Sequence, residues 1–483
     1  MGNFTFDEYV SVFSWRYGSK EMRRIFSEKR QRVLWRKLWS SLAEIQHKYG
    51  IVSKEELEDI KAKAKEEYIE ISKAHEIEKE IKHDLMAELR VFADQSPIGG
   101  KKLHLGATSA DIEDNVDIIR MREALNLILR RTVNCLEDLA DKILKYKALV
   151  CMGYTHLQPA EPTTLGYRFA NYALDLILDL ELLEFLMKEV LKGKGIKGAV
   201  GTSASFKSLL NNKVSTFEFE REVMSLLGLE YFPVSTQTYP RKVDAIILSC
   251  LANLAQSCHK FALDLRILQS PNFGEISEPF GEKQVGSSTM AFKRNPVYSE
   301  RICSLSRFIY VLPYVACFYS SSTIFERTLD DSAARRIVIP EAFLALDEIL
   351  ILYEKILKGL IVREEMIRKN LKNFGLFSGT EALMVKLTEL GEDRQRVHEL
   401  IREISMKAWE KVMKGEENPL LELLKKEKAI ISKIKEEELK RYFELEKYVG
   451  DAEERCELIV KEYIEPIIKR YKESKLEAVE ERF

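Results

Sequence analysis

The chain has 483 residues, of which 46% are hydrophobic and 31% are charged. This length is typical of about three domains, and the composition supports a large apolar core. The 75 Lys and Arg residues nearly balance the 77 Asp and Glu residues, so we expect no nucleic-acid partner, because the broad basic surface for it is missing. No run of about 18 apolar residues occurs, and the N-terminus does not read as a signal peptide, so we expect no membrane span and no secretion.

Seven cysteines are scattered along the chain, and none forms a C-x-x-C pair. An odd number without paired spacing predicts free thiols in the reducing cytoplasm rather than a disulfide framework or a zinc site. His, Cys and carboxylate residues show no metal-ligand spacing elsewhere, so we expect no bound metal.

Helical patterns change in length along the chain. Residues 1–110 carry short helical patterns with polar breaks, which predicts an N-terminal helical domain. Between Gly106 and Gly153 there is no Gly or Pro, and apolar residues recur every three or four positions. This spacing predicts a single amphipathic helix with a length of roughly 60 Å.

Four more long helical patterns follow, at Leu165–Leu191, Val243–Leu268, Val297–Val311 and Ala333–Leu357. Pro313 and Pro340 are expected to kink or end the last two. Five long helices within residues 111–360 predict an all-α central bundle. Their apolar stripes are too broad for one subunit to bury, which predicts an oligomer. The charged texture of residues 361–483 predicts a small C-terminal helical domain.

The segment from Gly281 to Pro296, G-E-K-Q-V-G-S-S-T-M-A-F-K-R-N-P, has neither a helical nor a strand period. Its backbone N–H groups, hydroxyls and cations can stabilise developing negative charge, although a solvated surface loop has a similar composition. The order G-S-S-x-M-x-x-K-x-N-P resembles the catalytic loop of the fumarase/aspartase superfamily, whose members eliminate fumarate from a substituted succinate. Ala291 departs from that pattern, which usually has Pro there.

Gly153–Ala160 reads G-Y-T-H-L-Q-P-A and is predicted to end the first long helix in a turn. It resembles the G-x-T-H-x-Q-P-A segment of the adenylosuccinate lyase family, whose histidine protonates the leaving nitrogen. That role suits His156, because imidazole exchanges protons near neutral pH. The resemblance pairs His156 with Glu300. A hydrogen-bonded structural histidine is the alternative interpretation.

The segment H-L-G-A-T-S-A-D before the long helix is an ordinary helix N-cap region, with Thr108 or Ser109 as the cap. It also resembles the superfamily's H-x-G-x-T-S-x-D segment, whose Thr-Ser pair binds a succinyl carboxylate. A helix N-terminus favours such an anion, so both interpretations can hold.

Four further segments resemble adenylosuccinate lyases in particular. They are R-Y-x-S-x-E-M from Arg16, K-H-D from Lys82, Q-T-Y-x-R-K-V-D from Gln237 and F-E-R-T-L-D-D-S-x-x-R-R from Phe325. By this resemblance Arg16 and Tyr17 meet the nucleotide phosphate, and His83 is a second active-site histidine. An isolated arginine would otherwise be a surface ion pair.

The resemblance implies a catalytic set and a substrate-binding set. The catalytic set is Ser287, His156, Lys293, Glu300 and His83. The substrate-binding set is Arg16, Tyr17, Lys82, Asp84, Thr108, Ser109, Thr155, Gln237, Asn295, Arg301, Arg327, Ser332 and Arg336.

The segment Gly193–Gly198 fits the dinucleotide fingerprint G-x-G-x-x-G. It follows a helical run, whereas the fingerprint requires a preceding strand. We therefore interpret it as a glycine-rich turn between helices that lines the active site.

Together the motifs imply a three-domain, all-α lyase without a cofactor. By resemblance it is a homotetramer with a helical core and shared active sites, and it releases fumarate from adenylosuccinate, giving AMP, and from the succinyl-carboxamide imidazole ribotide (SAICAR), giving AICAR. The alternatives are argininosuccinate lyase or another sister lyase, which phosphate-binding arginines disfavour, and a non-catalytic structural protein, which an intact set of reactive residues disfavours.

Overall fold

The computed structural model describes residues 7–472. Its N-terminal part consists of helices α1 (Lys20–Ile25), α2 (Glu28–Lys48), α3 (Lys54–Lys63), α4 (Ile71–Ile81) and α5 (Asp84–Gln95). Ser19, Ser27 and Ser53 begin the first three, because each side chain accepts a backbone N–H of the first turn. Such caps satisfy donors that a helix start leaves unpaired. The apolar residues of these helices belong to the same core as the central bundle.

The central bundle has five long helices. In chain order the helices of this region are α6 (Ser109–Tyr146), α7 (Leu165–Phe185), α8 (Ala204–Leu210), α9 (Thr216–Leu226), α10 (Lys242–Gln269), α11 (Val297–Ser321) and α12 (Ser332–Gly359). The long ones pack in the pairs α6 with α7, α10 with α11, α11 with α12, and α12 with α6. The predicted all-α bundle is confirmed, and each of its long helices overlaps a predicted helical pattern, although α11 extends beyond the predicted Val311 to Ser321.

One local prediction about these helices was wrong, and for the two prolines one of the two expected effects does not occur. The first long helix ends at Tyr146, and an antiparallel hairpin follows, formed by β1 (Val150–Thr155) and β2 (Gln158–Thr164). Neither Pro313 nor Pro340 ends its helix, since α11 and α12 continue beyond them to Ser321 and Gly359. A proline costs a helix one hydrogen bond, and buried apolar residues flank each proline: Leu312 and Ala316 near Pro313, and Ile339 and Ala342 near Pro340.

Helices α10 and α11 are apolar enough to resemble membrane spans, with mean hydropathies of 1.2 and 1.4 over their most apolar windows. About half of each window, 50% and 44%, is buried inside the protein. Both helices pack along the bundle core, and this position accounts for the buried half of each window.

The C-terminal part begins with β4 (Ile361–Val362), which pairs with β3 (Ile276–Ser277). Its helices are α13 (Glu364–Phe374), α14 (Gly379–Glu389), α15 (Arg394–Met413), α16 (Leu420–Leu424), α17 (Lys428–Ile431), α18 (Glu436–Arg441), α19 (Ala452–Ile459) and α20 (Glu465–Arg470). Residues from Leu383 to Phe443 form a separate apolar core. Helices α19 and α20 return to pack on the central bundle.

Candidate active site

A cleft with a volume of about 670 Å³ opens where several helices of the bundle begin. Nine predicted site residues line it: Lys82, His83, Asp84, Thr108, Ser109, Gln237, Arg327, Ser332 and Arg336. They come from segments far apart in sequence, at the starts of α5, α6, α10 and α12. Helix N-termini carry partial positive charge and so favour an anionic ligand at this wall of the bundle.

Arginines in the cleft are held by carboxylates. Arg336 donates to Asp84 at 2.6 Å, and Arg327 donates to Asp331 at 2.8 Å. Burial alone would raise the pKa of Asp84, but Arg336 outweighs it and the pKa is lowered. The same balance lowers the pKa of Asp331, where burial is outweighed by neighbouring arginines. Both acids are therefore ionised at neutral pH, and each fixes its arginine at the cleft.

Beneath these side chains lies a buried network that the sequence did not single out. Arg241 binds both oxygens of Asp114, at 3.0 and 2.9 Å, and Asp331 at 2.5 Å. Arg335 binds Asp244 at 2.6 Å and Asp117 at 3.2 Å. Bidentate arginine–carboxylate pairs are geometrically strict, so this network fixes the relative positions of α6, α10 and α12. The only sequence signal for it was the Asp and Arg content of the matched motifs.

His83 precedes α5 and faces the start of α6. Its Nε2 lies 3.3 Å from the Ser109 hydroxyl, and its Nδ1 lies 3.6 Å from Asp84. Lys82, immediately before it, takes a left-handed backbone conformation with φ 58°. This conformation ends α4 and turns the chain into α5, bringing the K-H-D segment to the Thr108-Ser109 pair.

Glu113 also lines the cleft, one helical turn beyond Ser109. Burial, followed by the nearby charges of Asp84, Asp114 and Asp117, raises its pKa to about 8. Sequence reasoning missed this residue, because a glutamate in the second turn of a helix is ordinary in composition. Its unusual environment arises only when α5 and α12 pack beside α6.

The glycine-rich segment Gly193–Gly198 is absent from the lining of this cleft, and its predicted position at the active site stays a prediction. Lys194 instead forms a buried ion pair with Asp111, whose carboxylate also accepts the backbone N–H of Lys197 at 3.0 Å. Gly195 has φ +85°, and a Cβ there would lie 2.0 Å from the Glu220 carboxylate. The glycines thus let this segment wrap closely around the start of α6.

His156 lies at the tip of the hairpin, outside the cleft. It and Leu157 are the two turn residues, with φ values of 54° and 60°. A two-residue turn of type I′ requires positive φ at both positions and usually has Asn or Gly there. Thr155, His156 and Leu157 are all exposed. Strained backbone of this kind is concentrated at functional sites.

A buried carboxylate, Glu275, supports the hairpin from beneath. Arg168 donates to Glu275 at 3.2 Å and to the Met152 carbonyl at 2.8 Å. Tyr154, two residues before His156, donates to Glu275 at 3.4 Å, and Asn370 donates to it at 3.0 Å. The hairpin, α7 and α13 therefore meet at one charged group.

The predicted catalytic loop, residues 281–296, is mostly exposed. The Ser287 oxygen accepts the backbone N–H groups of Thr289 and Met290 at 3.2 and 3.1 Å. Asn295 donates to the Gly286 carbonyl at 2.8 Å. Two N–H donors stabilise negative charge on the hydroxyl oxygen, and the Asn295 bond holds the turn that presents it.

Both ends of this loop are fixed to the bundle. The Gln269 side chain accepts the Glu278 N–H and donates to the Arg294 carbonyl, each at 3.1 Å. Glu278 accepts the N–H groups of Tyr298 and Ser299 at 3.0 and 2.9 Å, at the start of α11. The ends are therefore rigid, whereas Lys293 and Ser287 lie on the exposed part.

Four predicted residues lie near the start of α11 and the N-terminal segment. The Arg301 guanidinium lies 3.5 Å from Glu348 and 5.6 Å from the Tyr17 ring centre, and Arg16 stacks on Tyr17 at 5.9 Å. Glu300 lies 3.9 Å from Arg266. Within residues 7–472 of one chain, the structure forms no ion pair between Glu300 and His156.

The comparisons with known proteins agree with this architecture. A family model described as Lyase matches residues 7–310, and one described as Adenylosuccinate lyase C-terminus matches residues 377–458. Adenylosuccinate lyase from Schistosoma mansoni is 38% identical over 97% of both chains. Its counterpart from Saccharomyces cerevisiae is 38% identical over 94% of both chains. The chain belongs to the adenylosuccinate lyase family. It is an enzyme, a lyase of purine biosynthesis.

Two solved structures share the fold of this family member. Fumarate lyase from Mesorhizobium sp. BNC1 has 24% identity and a TM-score of 0.81, covering 94% of this chain and 99% of its own. The 3-carboxy-cis,cis-muconate lactonizing enzyme from Pseudomonas putida has 23% identity and a TM-score of 0.82, covering 95% and 99%. At these identities the likeness concerns the fold alone.

Proposed function

We propose that this lyase cleaves adenylosuccinate to AMP and fumarate, and SAICAR to AICAR and fumarate. Sequence identity of 37–38% with adenylosuccinate lyases along nearly the whole chain carries the proposal. The cleft supports it, because the guanidinium groups of Arg327 and Arg336 suit the phosphate of a nucleotide. Because the chain as a whole is nearly neutral, local arginines must supply the positive charge that binds an anionic substrate.

The proposed reaction is a β-elimination. Ser287 takes a proton from the succinyl carbon next to the carbon that bears nitrogen, and the electron pair develops on the adjacent carboxylate. Lys293, Asn295 and loop N–H groups stabilise this charge. The C–N bond then breaks, His156 donates a proton to the nitrogen, and fumarate leaves.

The two N–H donors on the Ser287 oxygen support its role as base. A serine hydroxyl is a weak base unless its alkoxide is stabilised. The bonds from Thr289 and Met290 supply part of that stabilisation, and closure of the loop over a bound anion would exclude water.

We further propose that each active site is assembled from several subunits of a tetramer. Within one chain the cleft, the hairpin tip with His156 and the loop with Ser287 carry separate parts of the reactive set. Leu174, Leu178 and Phe185 on α7, and Tyr314 and Phe318 on α11, leave large apolar faces exposed. Exposed faces of this kind are typical of subunit contacts. A second subunit would cover them and bring the parts together.

A cytoplasmic location belongs to the same proposal. Every one of the seven cysteines is a free thiol, and all but Cys317 are buried. Free thiols persist in reducing compartments.

An absorbance assay tests the function directly. Purified protein is mixed with adenylosuccinate, SAICAR or argininosuccinate, and the change in purine or fumarate absorbance is followed. We expect turnover of the first two substrates and none of argininosuccinate. Turnover of argininosuccinate alone would identify a sister lyase and overturn the proposal.

A further inference from the structure

The cleft contains one acidic side chain whose chemistry the proposed reaction does not use. Glu113 lies on the face of α6 that carries Ser109, four residues earlier, and both line the cleft. Residues four apart are neighbours on a helix surface. A ligand held at the start of α6 therefore lies within reach of the Glu113 carboxyl.

Glu113 differs from the other acids of α6 at this site. Asp114 is bound by Arg241, and Asp117 by Arg335 and Arg120. Within residues 7–472, no basic group lies within ion-pair distance of Glu113. Two arginines that face the cleft already have acidic partners, because Arg336 binds Asp84 and Arg327 binds Asp331.

The remaining charged groups of the cleft come from several elements. Lys82 and His83 stand before α5, whereas Glu28 of α2 and Glu78 of α4 add two more acids. Glu28 is bound by Arg32. The nearest strong influences on Glu113 are burial and the charges of Asp84, Asp114 and Asp117. Each of these raises the pKa of Glu113. Arg336 lowers that pKa, but by less than the others raise it.

A carboxyl that keeps its proton is a hydrogen-bond donor, whereas an ionised one only accepts. We propose that Glu113 is a binding residue of the cleft: its protonated carboxyl donates a hydrogen bond to an anionic oxygen of the nucleotide substrate. This inference rests on the proposed function, since that function supplies the anion. Ionisation of Glu113 removes the donor and places a negative charge beside the ligand.

The physical consequence is a binding affinity that depends on pH. With a pKa of about 8, the protonated fraction falls about tenfold between pH 7 and pH 9, and a tenfold loss corresponds to about 1.4 kcal/mol. The dissociation constant of an anionic ligand should rise by about that factor in the wild-type protein. Glu113→Gln keeps an N–H donor and has no charge, so its dissociation constant should stay constant.

The experiment measures binding of AMP and of fumarate by titration calorimetry from pH 6.5 to 9. AMP carries the phosphate and fumarate the carboxylates, so the ligand whose pH dependence disappears in Glu113→Gln identifies the anionic oxygen. Glu113→Ala should bind that ligand more weakly at pH 7. Glu123→Gln is the matched control, because Glu123 lies on the same helix, bound by Arg30 away from the cleft.

Each result decides the proposal. A wild-type affinity that is constant from pH 7 to 9, or a Glu113→Gln protein that keeps the wild-type dependence, overturns it. The absorbance assay keeps the two proposals separate, since normal turnover of adenylosuccinate together with either of these results removes only the role of Glu113. If neither AMP nor fumarate binds, the role of Glu113 is overturned, and the proposed function fails as well only if adenylosuccinate is not turned over.

Discussion

Single side chains of this protein work through the partners that surround them. Ser287 is an ordinary hydroxyl in the sequence, but in the structure its oxygen accepts two backbone N–H groups. Glu113 is an ordinary helical glutamate in the sequence, but burial among three aspartates raises its pKa to about 8. At this scale the reactivity of a side chain depends on the hydrogen-bond donors and charges immediately around it.

Ser287→Ala should reduce kcat by at least about a hundredfold, because general acid–base groups contribute about 10²–10⁴ to rate, and KM should change little. Ser288→Ala is the comparison, since the neighbouring hydroxyl is the alternative base. Steady-state kinetics on adenylosuccinate measures both variants. Ser287→Ala activity within about tenfold of wild type, or about 1.4 kcal/mol of barrier, would remove Ser287 from the mechanism.

Whole elements are positioned by buried charges. The hairpin that carries His156 stands on Glu275, which is fully buried and binds Arg168, Tyr154 and Asn370. Through these bonds Glu275 connects the hairpin, whose turn residues have positive φ, to helices α7 and α13. A buried ion pair contributes through its geometry more than through net stability.

Glu275→Gln should destabilise the protein by about 3 kcal/mol, because Arg168 would stay buried without a counter-charge. It should also lower kcat, because the hairpin loses its support. Denaturant unfolding and kinetics measure the two effects. Glu184→Gln is the control, since Glu184 pairs with the exposed Arg470, and surface pairs contribute at most about 1 kcal/mol. Equal stability of the two variants would contradict this role.

At the scale of the whole molecule, one chain does not bring the proposed reactive set together. The lining of the cleft includes neither His156 nor Ser287, and apolar faces of α7 and α11 are exposed. The proposed tetramer explains both observations at once. In that proposal a second subunit covers the apolar faces and completes the site.

The proposed sharing of sites predicts complementation between inactive variants. His156→Ala and Ser287→Ala proteins, mixed in equal amounts, unfolded mildly and refolded together, should recover about a quarter of wild-type activity. A site that needs one segment from each of two subunits receives both wild-type segments about one time in four. Exchange of an affinity tag shows whether mixed oligomers form. Mixed oligomers without activity would mean that each subunit carries its own complete site.

The sequence predicted the long helices well, because an apolar stripe of period 3.6 that continues over several helical turns has few alternatives. The sequence also identified residues of the cleft, since Lys82, Thr108, Gln237 and Arg336 belong to motifs of one family. It failed at the hairpin of His156, because Gly153–Thr164 is short and its strand pairing depends on contacts distant in sequence. It also ended the α11 pattern at Val311, whereas the helix continues through Pro313 to Ser321, because the sequence does not show which residues beyond the proline are buried.

The sequence by itself therefore determined the helical bundle and the family, and it supplied the side chains proposed to be reactive. These depend on local periodicity and on motifs, and both are visible in the amino-acid sequence. Only the tertiary structure decided which side chains share a cleft, which carboxyls ionise there and which stay protonated. Burial and the distances between charges set those properties, and both are fixed when helices distant in sequence pack together.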